Sequence, residues 1–355
     1  MNFPARVLIY SHAFHPSVGG SENAGRLLAD GIVAAGHEVQ IVTRSQGPAT
    51  ESFPYPIHYS PSRWELFRLV RWSSVYVHSN LGMRGAWPLL FLRRPWVIIH
   101  HSRITRVTGE MIWLDHVKRF CTRFARNIAV SQSMARDLPQ PTLVIGNGYD
   151  PEIFHREPET PRARDIMFLG RLNRDKGCHL LFEALRILSE RGLRPTVTVV
   201  GQGNAEEALH REVSETGLER QVVFEGTRNR EECARLLNGH RILVVPSLVA
   251  ETFGLVVLEG IACGCAVIVS TSGALEEIAG PCGVSFPSGD AGKLADRLAE
   301  LLGSPERIAA LQSPAAAHLA PFRSEHICRR YLAVILAEVR HVAHSFSLLL
   351  LAHLF

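Results

Sequence analysis

Long apolar runs are scarce in this sequence, and its N-terminus carries no export signal. The stretch Ser345 to Phe355 is apolar, but it is about half as long as a membrane-spanning helix must be. The chain reaches an apolar run at Arg6–Tyr10 without the hydrophobic region and cleavage site of a signal peptide. We therefore expect a cytoplasmic protein, with a peripheral position at the inner face of the cell membrane left open. The apolar tail could pack on the protein or touch a membrane.

Cysteine is present but is not arranged for disulfides or for metal. The seven cysteines are odd in number, scattered and without the paired spacing of metal ligands. We expect reduced thiols, no metal and no bound cofactor. The sequence also lacks the Gly-x-Gly-x-x-Gly fingerprint of a dinucleotide-binding loop, which argues against a dehydrogenase.

Disorder and low complexity are not indicated either. Apolar residues make up 46% of the chain and charged residues 20%, with ordinary numbers of glycine and proline. A chain of 355 residues exceeds the size at which a single hydrophobic core keeps growing. Two domains of similar size are therefore expected.

Positive charge is concentrated in the first part of the chain. The net charge is +4, but residues 1–150 carry 16 Lys and Arg against 9 Asp and Glu, which leaves a net of −3 for the remainder. Many of these cations lie between Arg63 and Arg126, among Trp and Phe residues. A solvated surface explains any single arginine. As a group they indicate an acidic partner, namely an anionic membrane surface or a lipid phosphate, and not nucleic acid.

Short apolar runs alternate with amphipathic stretches, which is the pattern of parallel sheets with crossover helices. In residues 1–149 this pattern predicts strands at Arg6–Tyr10, Glu38–Thr43, Ser74–His78, Trp96–His100, Asn127–Val130 and Thr142–Ile145. Residues 150–163 contain three prolines and no periodicity, so we predict a linker there.

The alternation then restarts and defines a second Rossmann-like domain over residues 164–322. Its predicted strands are Asp165–Leu169, Thr196–Val200, Val222–Glu225, Ile242–Val245 and Ala266–Val269. Its predicted helices lie near Lys176–Arg191, Glu206–Thr216, Asn229–Leu237 and Gly254–Cys263. Residues 323–343 are predicted to form a C-terminal helix that packs across both domains, followed by the apolar tail at 344–355.

The most informative stretch runs from Pro246 to Gly260 and reads Pro-Ser-Leu-Val-Ala-Glu-Thr-Phe-Gly-Leu-Val-Val-Leu-Glu-Gly. It follows a predicted strand and opens a helix near Gly254, with Glu251 in the loop and Glu259 inside the helix. The N–H groups and dipole at such a helix start favour an anion such as a diphosphate. Glu259, roughly 7 Å further along the axis, could accept hydrogen bonds from ribose hydroxyls. Glu251 could reach the hydroxyls of a transferred sugar.

These two glutamates, in a Glu-Thr-Phe-Gly context, closely resemble the E-x7-E motif of the retaining glycosyltransferases of family 4. The alternative is a pair of exposed helix-terminal glutamates. The resemblance covers nearly the whole chain. It implies an α/β fold class of GT-B architecture, with two facing Rossmann-like doubly wound domains and an interdomain cleft. It also implies donor contacts at Phe253, Gly254 and Leu255.

The second motif is Gly170-Arg171-Leu172 followed by Lys176-Gly177, again at the end of a predicted strand. In the resembling family this pattern supplies the cations that hold the donor diphosphate, which implies that role for Arg171 and Lys176. Fixed cations stabilise the negative charge that develops on a leaving nucleoside diphosphate. The alternative for each is a surface salt bridge, and Arg174 between them is assigned to that alternative.

Three further elements follow the family pattern less specifically. The loop with Gly19 and Gly20 resembles a family loop that faces the diphosphate and lets a ligand approach the backbone closely. His101 resembles the family histidine that approaches the transferred sugar, although His100 beside it makes the alignment ambiguous by one. The turn with Thr227 and Arg228 resembles the one that reads the nucleobase.

The resemblance implies a retaining transferase that moves a sugar from a nucleoside-diphosphate sugar to an acceptor hydroxyl, with no protein nucleophile. The expected acceptor is a glycan or glycolipid, such as a lipid-linked or polysaccharide precursor. Two alternatives stay open: a non-catalytic protein that binds sugar nucleotides or lipids on the same fold, and a glycosidase that uses Glu251 and Glu259 as an acid/base pair. The glycosidase leaves the cations of the second domain unexplained.

Overall fold

The computed structural model describes residues 4–15, 20–45, 52–104, 111–139 and 141–352, with only the backbone at residues 20, 21 and 341–352. Contacts divide the chain into two compact units. Unit 1 consists of residues 1–148 and 324–355, and unit 2 of residues 149–323. Each unit has its own parallel sheet.

Unit 1 is built on a seven-stranded parallel sheet with the strand order β3-β2-β1-β4-β5-β6-β7. The strands are β1 Arg6–Ser11, β2 Glu38–Thr43, β3 Ile57–Tyr59, β4 Val75–Ser79, β5 Trp96–His100, β6 Arg126–Ala129 and β7 Leu143–Val144. The helices are α1 Gly20–Ala34, α2 Arg63–Trp72, α3 Met83–Ala86, α4 Trp113–Cys121 and α5 Gln132–Ala135.

The middle of this sheet is buried on both faces, which explains its continuous apolar runs. All five residues of β4 are buried, and so are residues 7–11 of β1. The strand order reverses between β1 and β4, because the chain runs outward from β1 to β3 and then returns to the other side of β1. Ligands of doubly wound sheets bind beyond the carboxyl ends of the strands at such a switch point.

Unit 2 repeats this plan with a six-stranded parallel sheet in the order β10-β9-β8-β11-β12-β13. The strands are β8 Arg164–Leu169, β9 Val197–Val200, β10 Val222–Gly226, β11 His240–Val245, β12 Ala266–Ser270 and β13 Gly283–Phe286. The helices are α6 Cys178–Glu190, α7 Glu206–Glu215, α8 Arg230–Gly239, α9 Leu255–Ala262, α10 Leu275–Ala279, α11 Ala291–Gly303, α12 Pro305–Gln312 and α13 Ala315–Leu319.

The core of unit 2 is a layer of leucines between the sheet and its helices. Leu181, Leu185 and Leu188 of α6 are fully buried against the sheet, in one cluster with Leu294 and Leu298 of α11. Their spacing of three and four residues places them on one face of each helix. This layer fixes α6, which begins directly after Gly177, relative to the carboxyl end of β8.

The segment predicted to be the linker, residues 150–163, is grouped with unit 2 and is fixed to it by hydrogen bonds. The side-chain oxygen of Asn238 accepts the backbone N–H of Glu157 at 2.8 Å, and the Arg162 guanidinium donates to the carbonyl of Cys263. A proline-rich stretch without periodicity can therefore be ordered by contacts that a sequence pattern does not reveal.

The C-terminal helix α14 spans Ser324–Ala352 and belongs to unit 1. It packs on α1, and the Tyr331 hydroxyl donates to the carbonyl of Ile145 at 2.9 Å. Packing across both domains, as expected from the sequence, stays a prediction. None of the helices in the described part of the chain combines the length and apolar character needed to cross a bilayer.

Each strand expected from an apolar run is present, and its observed bounds differ from the predicted bounds by at most two residues. The structure contains two further strands, β3 and β13, which were not predicted. β3 is three residues long and only half-buried, and β13 contains Gly283 and Ser285. Short edge strands of this kind lack an apolar run, so periodicity does not detect them.

Candidate functional site

The motif residues of unit 2 lie at the switch point of its sheet. β8 and β11 are neighbours, and the strand order reverses between them. The loop after β8 carries Arg171 and Lys176, and the loop after β11 carries Glu251. Because parallel strands end at the same edge of a sheet, two motifs 75 residues apart in sequence meet there.

Lys176 and Glu251 form a direct ion pair in this switch-point site. The Lys176 ammonium donates to Oε1 of Glu251, which also accepts the Ser247 hydroxyl at 2.7 Å. The two charged side chains are 20% and 18% exposed, so each retains some access to a ligand. Within the described residues, Oε2 of Glu251 accepts no hydrogen bond, which leaves it available to a hydroxyl group.

The two loops are joined by backbone contacts at Gly177. The N–H of Leu248 donates to the carbonyl of Asp175 at 2.8 Å. Gly177 has a left-handed backbone with φ +73°, and a Cβ there would lie 2.0 Å from the carbonyl oxygen of Pro246. Glycine is therefore required for close contact of the loops, and this contact fixes Lys176 beside Glu251.

A third strand-end loop holds the backbone of Glu251. Ala274, after β12, donates its N–H to the carbonyl of Glu251 at 2.9 Å. A Cβ on Gly273, where φ is +70°, would lie 2.1 Å from that carbonyl oxygen. Gly273 was not identified from the sequence, although its place in a Ser-Gly pair three residues after an apolar run is a usable signal.

Arg171 is exposed and follows β8 by two residues. Its guanidinium forms no ion pair with any residue in the described part of the chain, in contrast to Lys176. The loop is held by the Gly201-Gln202-Gly203 segment after β9, since Leu172 donates to the carbonyl of Gln202 at 2.9 Å. A Cβ on Gly201 would lie 1.9 Å from the carbonyl oxygen of Gly170. This Gly-x-Gly segment thus positions the arginine loop.

Helix α9 begins at Leu255, one residue after the predicted start. Gly254 is its N-cap, with φ +93° and no side-chain cap, so the first N–H groups of the helix are not covered by a capping side chain. The Phe253 side chain is buried, with its ring centroid 6.1 Å from that of Phe322. This buried anchor fixes the start of a helix whose positive end can face an anion.

Glu259 lies one turn inside α9, near a second charged group. Arg230 forms an ion pair with Asp150 at 3.3 Å and stacks over the Phe154 ring, with 5.5 Å to the centroid. Burial raises the pKa of Glu259 to about 7, Arg230 opposes this shift, and Asp150 adds to it. Asp150 belongs to the segment predicted to be the linker, and Arg230, at the start of α8, has no distinctive sequence pattern.

The turn predicted to read the nucleobase is exposed at the end of β10. Gly226 has φ +65° and marks an irregularity in the pairing of β10 with β9. The Arg228 guanidinium is paired with Glu225 at 2.7 Å, and Thr227 is exposed. With the arginine side chain engaged, the backbone of this turn is the part best placed to contact a ligand.

In unit 1, Gly19 lies outside the described residues, and Gly20 is the first residue of α1. The two histidines of the predicted pair differ in environment. His100 ends β5 and is buried, with Nε2 at 3.0 Å from the side-chain oxygen of Asn127. His101 lies just beyond the strand, where Asn80 accepts its backbone N–H at 2.8 Å.

Burial lowers the pKa of both His100 and His101 to about 4, and His100 contributes to the shift of His101. The His100 side chain is hydrogen-bonded to Asn127 within the sheet, and His101 is the histidine just beyond the strand end. Both imidazoles are neutral near pH 7. His101 is therefore suited to contact a neutral group such as a sugar hydroxyl and not to act as a cation.

Comparisons with known proteins give family matches over most of the chain. Residues 150–317 match the sequence profile of "Glycosyl transferases group 1", and residues 18–153 match that of "Glycosyltransferase Family 4". An uncharacterized glycosyltransferase of Methanocaldococcus jannaschii is 35% identical over 316 residues, which cover 74% of this chain and 79% of that protein.

Other relatives have named acceptors. D-inositol 3-phosphate glycosyltransferase 1 of Catenulispora acidiphila is 31% identical, over 64% of this chain and 59% of that protein. The match thus spans less than two thirds of that relative. The phosphatidyl-myo-inositol mannosyltransferase of Mycobacterium leprae is 25% identical, over 80% of this chain and 84% of its own length.

Among solved structures, Anabaena HepE in complex with UDP and glucose superposes with a TM-score of 0.81. Its sequence identity is 20%, and the match covers 94% of this chain and all of that one. The sucrose-phosphate synthase of Thermosynechococcus elongatus gives a TM-score of 0.77 at 21% identity, over 96% of this chain and 100% of that one. The predicted α/β fold class of GT-B architecture is thereby confirmed.

Proposed function

The chain belongs to glycosyltransferase family 4, and we propose that it is a retaining enzyme that transfers a hexose from a nucleoside-diphosphate sugar to an acceptor hydroxyl. The observation that carries this proposal is the Lys176–Glu251 pair at the switch point of unit 2. It places a cation and a hydrogen-bond acceptor together where doubly wound sheets bind their ligands.

Arg171, Lys176 and the start of α9 are proposed to hold the donor diphosphate. Breaking the glycosidic bond leaves negative charge on the departing nucleoside diphosphate, and cations fixed in advance stabilise that charge without reorganising. The Gly177 contact and the Gly201 contact hold the loop that carries both cations. A metal is not required for this role, and we propose that none is used.

The remaining donor contacts follow from position. Oε2 of Glu251 would accept a hydroxyl of the transferred sugar, and Glu259 would accept the ribose hydroxyls. Thr227 and Arg228 would contact the nucleobase through their backbone groups. From unit 1, His101 would approach the sugar, and the Gly19-Gly20 loop would contact the phosphate or the acceptor.

The proposed chemical step uses no protein nucleophile. The departing phosphate oxygen takes the proton of the acceptor hydroxyl as that hydroxyl attacks the anomeric carbon from the same face. Glu251 is not proposed as a general acid, because its Oε1 already accepts hydrogen bonds from an ammonium and a hydroxyl. The glycosidase alternative is not preferred, because it gives the cations Arg171 and Lys176 no role.

The acceptor is proposed to be a glycan or glycolipid at the cytoplasmic face of a membrane. The names of two relatives contain D-inositol 3-phosphate and phosphatidyl-myo-inositol. Unit 1 also exposes large apolar side chains among its cations: Trp64, Leu90, Phe91, Trp113, Phe120 and Phe124. Aromatic and basic side chains together favour the interface of an anionic bilayer.

The donor proposal is tested by thermal unfolding of the protein with UDP-, GDP- and ADP-sugars. We expect one nucleotide series to raise Tm and the Lys176→Ala variant to lose that shift. Transfer to an acceptor extract then distinguishes an enzyme from a non-catalytic binding protein. No shift with any donor or nucleoside diphosphate would contradict the proposal.

The membrane proposal has a separate test. The protein should sediment with phosphatidylserine vesicles at low salt. It should stay in the supernatant at high salt, because salt screens the attraction between the charges. Retention at high salt would instead assign binding to apolar insertion.

A further inference from the structure

Unit 1 contains a cavity of about 620 Å³ at the carboxyl edge of its sheet. Tyr10 lines it from β1, Arg44 from the loop after β2, and Arg63 from the start of α2. Met83, Arg84 and Trp87 complete it from the segment after β4. The cavity therefore lies on the β1–β4 switch point of unit 1, the same topological position that the donor motifs occupy in unit 2.

The described lining of the cavity is positively charged. Three arginines line it, and none of the described lining residues is Asp or Glu. Within the described residues, the guanidinium groups of Arg44, Arg63 and Arg84 form no ion pair. Burial raises the pKa of Tyr10, and both Arg44 and Arg84 oppose that shift, so two of these cations act on one wall of the cavity.

The start of α2 contributes further to this charge. The helix has ten residues and its N-cap is Ser62, between the two lining residues Pro61 and Arg63. The positive end of the helix dipole is thus at the cavity. A phosphate or diphosphate, with about two negative charges or more, complements three cations and a helix end better than a single carboxylate does.

The other walls of the cavity are apolar and aromatic. Val42, Leu66, Met83 and Trp87 line it, and the Arg63 guanidinium lies 5.0 Å from the Trp87 ring centroid. The Tyr10 ring packs against Gly85, where a Cβ would come within 2.8 Å of the ring. The cavity thus places fixed apolar surface beside its cations.

We propose that this cavity binds the acceptor substrate, and that the acceptor is an amphiphile whose phosphate or diphosphate group contacts Arg44, Arg63 and Arg84. The apolar or ring portion next to that phosphate lies against Trp87 and Met83. The inference rests on the proposed function, because it identifies the acceptor class of a transferase whose donor is held by unit 2.

The test is calorimetric titration of the full-length protein with monomeric octyl phosphate, with inorganic phosphate and octyl glucoside as the other arms. We expect octyl phosphate to bind more tightly than inorganic phosphate and octyl glucoside not to bind. The variants Arg44→Gln and Arg84→Gln should each raise the Kd of octyl phosphate about tenfold, which is about 1.4 kcal/mol, because each loses a charge-assisted hydrogen bond. Arg136→Gln is the matched control, because this exposed arginine of unit 1 does not line the cavity.

Three outcomes would overturn the inference: no binding of octyl phosphate, equal weakening by Arg136→Gln, and binding of inorganic phosphate with no gain from the alkyl chain. The last would identify a site for free phosphate.

Nucleoside diphosphate binding is measured on the same samples. Normal nucleotide binding without octyl phosphate binding would refute the acceptor site alone, whereas loss of nucleotide binding in the wild-type protein would refute the proposed function.

Discussion

The two units share a strand order around their switch points but build their sites differently. In unit 2 the site residues belong to short contiguous motifs after β8 and β11, and glycines lock these loops together. In unit 1 the cavity takes its arginines from three separated segments. A site made of contiguous motifs is visible in one sequence, whereas a site assembled by topology is visible only in the structure.

The cations of the two sites also differ in their ion pairing. Lys176 of unit 2 is paired with Glu251, while the three arginines of the unit 1 cavity have no carboxylate partner among the described residues. A paired lysine is held in a fixed geometry before the donor binds, which suits stabilisation of a transition state. Unpaired cations suit the binding of an anion that brings its own charge.

The largest expected effect concerns the cations of unit 2. Lys176→Ala and Arg171→Gln should each lower kcat by about 10² to 10³, the range typical of removing one group that stabilises developing charge. The measurement is steady-state transfer from the nucleotide sugar identified by thermal shift.

Arg174→Gln is the matched control for this prediction, since Arg174 lies in the same loop and is exposed. It should leave kcat unchanged. An equal loss in Arg174→Gln would show that general loop charge, and not the two named cations, supports the reaction.

The next effect tests the glycine contact that joins the two loops. Gly177→Ala brings a Cβ against the Pro246 carbonyl in addition to its backbone strain, so nucleotide binding should weaken at least tenfold. Gly192→Ala is the control, because Gly192 has φ +82° and no atom near its Cβ position. It should cost only the left-handed strain of about 1–2 kcal/mol.

Urea unfolding gives the stability of the two variants, and calorimetry gives their affinity for the nucleotide. If Gly192→Ala and Gly177→Ala lower stability equally and both bind nucleotide normally, the loop contact is not needed for the site.

Much of the fold could be predicted because buried parallel strands leave continuous apolar runs. β2 and β5 were predicted with their observed bounds. β3 was not predicted, because its three residues are half-buried at the sheet edge and depend on pairing with β2. Local pattern identifies strands that are buried on both faces, and it fails where pairing alone defines the strand.

The candidate site shows the same limit. Glu251 and Lys176 were proposed from separate motifs, and the structure brings them into contact. Asp150 and Arg230 were not proposed beside Glu259, because their pairing joins residues 80 positions apart in sequence. The unit 1 cavity was not predicted: the arginines between Arg63 and Arg126 indicated only an acidic partner, and Arg44 lies outside that stretch.

A test of unit 1 compares the two adjacent histidines. His101→Gln should lower the transfer rate about tenfold or more while nucleotide affinity stays unchanged, because the nucleotide motifs lie in unit 2. His100→Gln should instead lower Tm, since it disturbs a buried hydrogen bond to Asn127. Since the pKa of His101 is lowered to about 4, the transfer rate should show no inflection near pH 6.5 that depends on His101. The reverse assignment of the two phenotypes would contradict this interpretation.

Glu259 should contribute a pH dependence to the stability of the protein. Burial raises its pKa from 4.5 to about 7, so the folded state keeps a proton that the unfolded state releases between these values. The unfolded state then binds fewer protons, and stability falls as pH rises through the window from 4.5 to 7. Glu259→Gln should remove this fall, which is at most about 3 kcal/mol.

The same proton links stability to the proposed ribose contact. If ribose hydroxyls donate to the Glu259 carboxylate, nucleotide binding favours the deprotonated form, and affinity should rise by a few-fold between pH 6 and 8. Phosphate ionisation changes affinity in the same range, but it acts equally on wild type and Glu259→Gln. The difference between their pH profiles therefore isolates the carboxylate. Identical pH profiles of the two proteins, with equal affinity at pH 8, would mean that binding of the ribose does not depend on Glu259.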